Sequence, residues 1–123
     1  MAKILIIEDN DDNARLMIRA LKPQGYELYR AADGESGLNM AMEQEPDLIL
    51  LDLGLPDLEG QTVAALIKRT PELAQVPVVA VTAWPPDTAR QMARAYGCDG
   101  YISKPISPKA FPAQIAPFLK AEE

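Results

Sequence analysis

Apolar residues fall into two alternating rhythms along the chain. Short, often β-branched runs occur at Ile4–Ile7, Glu27–Ala31, Leu48–Leu53, Val76–Thr82 and Tyr101–Ser103, and runs of this length and type predict strands. The third and fourth are almost unbroken, as expected of strands covered on both faces in a parallel sheet. Between the runs the spacing changes. Ala14, Met17, Ile18 and Leu21 recur at i, i+3, i+4 and i+7, with Arg15, Arg19 and Lys22 on another face, which predicts an amphipathic helix. Val63, Leu66, Ile67 and Thr70 repeat the pattern, as do Ala89, Met92, Ala93 and Tyr96. Leu38, Ala41 and Met42 mark a helix after the second run, and Phe111, Ile115, Phe118 and Leu119 one after the fifth. Met40, Met42 and Met92 at these spacings read as core filler.

The punctuation agrees with this parse. Gly25 and Gly97 stand where helix ends favour a residue tolerant of positive φ. Ser107-Pro108 reads as an N-cap followed by proline at the first helical position. Asp33 is placed to cap the second helix and Asp57 the third, while Asp11 and Asp12 are first-turn acids favoured by the helix dipole. Pro112 and Pro117 conflict with a continuous last helix, so a kinked, frayed or short one is expected. Five strand–helix units in strict alternation imply an open, mainly parallel, doubly wound α/β sheet over residues 1–123. In such sheets ligands bind at the carboxyl ends of the strands.

Composition narrows the function. The chain has 123 residues, 48% of them apolar, which suits one domain with an ordinary core. Twelve basic residues against 18 acidic ones leave a net charge of −6, so nucleic-acid binding through a basic patch is disfavoured. Cys98 is the sole cysteine and there is no histidine, which removes an internal disulfide, Ser/His/Asp chemistry and His-ligated zinc. The apolar run near the N-terminus, Ile4 to Ile7, is too short for a signal-peptide core or a membrane span. A cytoplasmic protein without membrane association is expected.

The strand ends carry the candidate chemistry. Glu8-Asp9-Asn10-Asp11-Asp12 follows the first strand, Asp52-Leu53-Gly54-Leu55-Pro56-Asp57 the third, Thr82-Ala83-Trp84 the fourth and Ser103-Lys104-Pro105 the fifth. Glu8, Asp9 and Asp52 would thus meet Thr82 and Lys104 at one edge of the sheet. Clustered carboxylates cannot all ionise cheaply, and a hard cation such as Mg²⁺ relieves the conflict with oxygen ligands. A carboxylate beside that ion can attack a phosphoryl group while lysine and metal neutralise its oxygens. A flavodoxin-type cofactor binder would need an anion-cradling loop after the first strand, and the acidic run at Glu8–Asp12 has the wrong charge.

Over essentially its whole length the pattern resembles the receiver domain of bacterial response regulators, the CheY-like family. The resemblance implies a flavodoxin-like (βα)5 sheet of strand order 2-1-3-4-5. It implies that Asp52 is the phosphoacceptor and that Glu8 and Asp9 are the acidic pair, with Asp9 the direct Mg²⁺ ligand and Glu8 acting through water or indirectly. Asp52 and the Gly54 carbonyl would supply further metal oxygens. Thr82 matches the switch hydroxyl, Tyr101 the aromatic switch position and Lys104 the phosphate-contacting lysine, with a cis Lys104–Pro105 peptide. Implied partners are a histidine kinase or histidine phosphotransfer protein and a downstream protein target. The target would be reached through the surface of the fourth helix, fifth strand and fifth helix. With no output domain expected, the chain reads as a stand-alone monomer or a weak, phosphorylation-dependent dimer. Leu55 replaces a frequent methionine, and Gly54 and Trp84 flank the phosphate position without a carboxylate or amide. Trp84 is expected either to cover the site in part or to pack on the surface or a partner.

Overall fold

The computed structural model describes residues 2–55, 57 and 59–119. In chain order the elements are β1 (Lys3–Ile7), α1 (Asp11–Leu21), β2 (Glu27–Ala31), α2 (Gly34–Gln44), β3 (Leu48–Asp52) and α3 (Gly60–Arg69). They continue with β4 (Val78–Thr82), α4 (Pro86–Ala95), β5 (Gly100–Ser103) and α5 (Phe111–Ile115). Short 3₁₀ turns follow α1 at Lys22–Gln24 and α5 at Ala116–Phe118. The five strands form one parallel sheet in the order β2-β1-β3-β4-β5, as the resemblance implied.

Alternation along the strands sorts the core into two layers. Ile4 and Ile6, Leu48 and Leu50, and Val79 and Val81 pack with Met17 and Leu21 of α1 and Phe111 and Ile115 of α5. Leu5 and Ile7, Ile49 and Leu51, and Val78 and Ala80 pack with Ala41 of α2 and Val63, Ala64 and Ile67 of α3. Each such buried Leu, Ile or Val contributes about 1.5–3 kcal/mol relative to exposure. The unbroken apolar runs of β3 and β4 are explained by this two-sided cover, since every residue of both strands is buried. β4 starts at Val78, two residues later than the pattern predicts, because Pro77 has no N–H; it offers only its carbonyl, to Ile49 N at 3.0 Å.

Most helix ends follow the local signals. Asn10 Oδ1 accepts from Asn13 N at 2.9 Å and caps α1, with Asp11 and Asp12 in its first turn. Asp33 Oδ1 caps α2 through Ser36 N at 2.7 Å. Gly25 (φ 84°) and Gly97 (φ 82°) take the left-handed conformation. The last helix is short, as its prolines require: Pro112 lies in the first turn of α5, where its missing N–H costs nothing, and Pro117 is the second residue of the 3₁₀ turn.

Three expectations are corrected. Ser107-Pro108 does not start α5; Ser107 Oγ accepts from Ala110 N at 3.3 Å and closes a turn ahead of the helix, whose flanking residue is Ala110. Asp57 does not cap α3, which is flanked by Glu59 with no side-chain cap. Its carboxylate instead crosses to α2, accepting from Gly34 N at 2.8 Å and Glu35 N at 3.1 Å. Met42 is not core filler but 44% exposed, whereas Met40 does pack on the second layer. Pro56 lies outside the described residues.

Candidate functional site

The register of the sheet assembles the site. Asp52, the last residue of β3, pairs with Val81, so it stands one step from Thr82 at the end of β4. Thr82 pairs with Ser103, which places Lys104 next along the same edge, and Lys104 N donates to Thr82 O at 2.8 Å. Glu8 leaves β1 beside them, its N–H bonded to Ala31 O at 3.0 Å. The Lys104–Pro105 peptide is cis. Glu8, Asp52 and Thr82 are the buried polar residues among those described.

Lys104 Nζ lies 2.8 Å from Glu8 Oε1 and 3.3 Å from Asp52 Oδ1. The approach to Glu8 is close but badly directed, and Oε1 makes no hydrogen bond of acceptable angle although it is buried. Glu8 Oε2 accepts from Asn10 N at 3.2 Å, and Asp52 Oδ1 from Gly54 N at 3.0 Å. Thr82 Oγ1 accepts from Trp84 N at 3.1 Å, which leaves the hydroxyl hydrogen free to be donated.

Charge is divided unequally between the two buried acids. Burial pushes the Glu8 carboxyl from 4.5 up to about 7, with Lys104 pulling the other way. Burial also pushes the Asp52 carboxyl upward, but the adjacent Glu8 carboxyl, the hydrogen bond from Gly54 N and the Lys104 charge outweigh it and hold Asp52 below its ordinary value. Lys104 loses some of its basicity to burial, yet the two acids more than restore it and its pKa is raised. The two acids are thus shifted in opposite directions, Glu8 upward by burial and Asp52 downward by its neighbours.

The donor set fits a hard divalent cation. One carboxylate oxygen each from Glu8, Asp9 and Asp52 lies within 4.8 Å of the others, and Glu8 Oε1 is a buried oxygen without a directed donor. Oxygen ligands alone, none of them nitrogen or sulfur, suit Mg²⁺ or Mn²⁺. Gly54 is exposed on the loop beyond Asp52. Tyr101, mid-strand in β5 and paired with Ala80, is half-buried against the second core layer. Trp84 is 39% exposed.

Two contributors escaped the sequence reading. Asn10 both caps α1 and donates to Glu8, and an Asx residue three before Asn13 was the available signal. Arg30 of β2 donates through Nε and Nη2 to Glu8 O at 3.0 and 2.8 Å. Nothing local marks an arginine in an edge strand as a partner of a loop 22 residues earlier.

Comparison with known proteins agrees with this geometry. The sequence matches the family model described as response regulator receiver domain over residues 4–116. It is 40% identical over 116 residues to the polar-differentiation response regulator DivK of Brucella anthropi, covering 94% of each chain. Among solved structures it resembles the chemotaxis response regulator CheY4 of Vibrio cholerae, with TM-score 0.91 at 25% identity, over 97% of this chain and 99% of that one. It also resembles the receiver domain of the Pseudomonas aeruginosa sensor histidine kinase PA1611, which has a magnesium ion coordinated in its active-site cleft. There the TM-score is 0.86 at 28% identity, over 95% and 96% of the chains. The chain therefore belongs to the response regulator receiver domain family of two-component signalling, and that family is not one of conventional enzymes. Among the described residues no helix is long and apolar enough to cross a membrane.

Proposed function

We propose that this chain is a phosphorylation-dependent switch that accepts a phosphoryl group on Asp52. The observation carrying this reading is the Asp52 carboxylate at the end of a fully buried strand, with Lys104 Nζ 3.3 Å from Oδ1. Asp9, Asp52 and the Gly54 carbonyl would hold Mg²⁺, with Glu8 close by. Bound there, the ion supplies neutralisation of the clustered acids and of the incoming phosphoryl oxygens.

The chain's own residues do the rest. An Asp52 Oδ attacks phosphorus of a phosphohistidine on a histidine kinase or phosphotransfer protein; the O–P bond forms as the P–N bond breaks, and the imidazole leaves with the electron pair. Lys104 exchanges its Glu8 and Asp52 contacts for a phosphoryl oxygen, and the free Thr82 hydroxyl hydrogen is donated to another. Tyr101 turns inward as Thr82 moves, biasing a pre-existing equilibrium of the α4–β5–α5 surface. That surface then controls binding of a downstream protein. A cytoplasmic response regulator, monomeric or weakly dimeric when phosphorylated, is the role that 40% identity to DivK supports. Its charge of −6 does not favour nucleic acid.

Intact-mass spectrometry after incubation with acetyl phosphate and MgCl₂ tests the reading. A gain of one phosphoryl group, absent with Asp52→Asn and with EDTA, is expected. No gain together with no Mg²⁺ binding by titration overturns it.

A further inference from the structure

Arg30 sits at the penultimate position of β2, paired with Ile6 of β1 and 26% exposed at its side chain. From the edge strand its guanidinium reaches two ends of the acidic loop together. Nε and Nη2 grip the Glu8 carbonyl at 3.0 and 2.8 Å, and Nη1 pairs with Asp11 Oδ1, on the first residue of α1, at 2.9 Å. The Glu8 carbonyl belongs to the Glu8–Asp9 peptide, so holding it from two donors fixes the plane from which Asp9 departs. Ala31 O takes the Glu8 N–H from the same strand at 3.0 Å. Glu8 is therefore held at both sides of its backbone by β2, and the loop carrying both acids is clamped from strand end to helix start.

We infer that Arg30 is a positioning residue for the divalent-cation site, orienting Glu8 and Asp9 through the peptide between them. This rests on the metal-binding part of the function proposed above. Three donors in a rigid fork do this work, and lysine's single point charge cannot replace them. The charge of Arg30 acts in the opposite direction. A cation near a cation site disfavours metal binding, so simple charge removal would tighten it. Geometry and charge thus predict shifts of opposite sign.

The test is a MgCl₂ titration of the full chain followed by calorimetry and by Trp84 fluorescence, with thermal unfolding of each variant as the folding control. Supporting groups that orient metal ligands typically account for about 10- to 100-fold in affinity. Arg30→Gln is expected to bind Mg²⁺ about tenfold more weakly despite losing a positive charge, and Arg30→Lys, which keeps the charge, to be weakened severalfold. Unchanged affinity in Arg30→Lys, or tighter binding in Arg30→Gln, overturns the inference and reduces Arg30 to a charge. Failure of the unsubstituted chain to bind Mg²⁺ overturns the metal-site reading itself, and this inference with it.

Discussion

Replacing Gly60 by alanine is the sharpest structural test of how the site is seated. Gly60 opens α3 directly against the segment that follows Asp52, and its N–H reaches Leu53 O at 3.2 Å. A Cβ there would stand 2.4 Å from Leu53 Cα and 3.1 Å from Asp52 O, where ordinary contact begins near 3.4 Å. The obstacle is backbone, so no side-chain rotation relieves it, and the start of α3 must move off β3 by about 1 Å. Overpacking of this kind costs about 1–3 kcal/mol, and loss of the Gly60–Leu53 hydrogen bond adds about 1 kcal/mol. Better helix propensity returns under about 1 kcal/mol. The net expectation is a loss of about 2–3 kcal/mol. With a urea m-value of about 2 kcal/mol/M, the midpoint falls by about 1–1.5 M. Gly54→Ala is the control: its Cβ meets only Asp52 Oδ1, at 3.8 Å, so its stability should stay within about 0.5 kcal/mol of the parent. Equal midpoints for Gly60→Ala and the parent, or equal losses for both variants, would refute the reasoning.

Two other outcomes follow from groups away from the site. Asp99 Oδ2 accepts from Val78 N at 2.8 Å and from Lys68 Nζ at 3.1 Å at the start of β4, so Asp99→Ala strands a part-buried N–H. A loss of about 1–2 kcal/mol in urea unfolding is expected, and Asp99→Asn, which can still accept, should lose less. Burial pushes the Cys98 thiol from 9.0 up to about 11. Its neutral form therefore stabilises the fold fully below pH 9, and that contribution fades as pH rises toward 11. At pH 8 iodoacetamide should modify the folded chain more than tenfold more slowly than the urea-unfolded chain; equal rates would contradict the burial argument.

The alternation of periods made the architecture legible, because parallel strands buried on both faces leave runs such as Leu48–Leu51 that no amphipathic helix would carry. Strand order was not legible that way, and came only with the family resemblance. Asp52, Thr82 and Lys104 were visible because each immediately follows or ends a strand. Asp57 was misassigned because a capping motif is read locally, whereas its actual donors, Gly34 and Glu35, lie more than twenty residues away. Arg30 failed to stand out for the same reason. Met42 misled because three apolar positions define a stripe too narrow to fix its edge, and the side of α2 facing β1 is lined by Gly37, whose Cβ position would overlap Ile7.

The burial of every residue in β3 has a kinetic consequence. A strand covered on both faces and flanked by β1 and β4 exchanges its amide hydrogens only when the entire molecule opens. Asp52, the proposed acceptor, ends that strand, so the placement of its carboxylate is as durable as the fold. Core substitutions elsewhere will then change how many molecules in a cell are competent, through turnover of the unfolded fraction. Each molecule that remains folded should carry an unaltered acceptor.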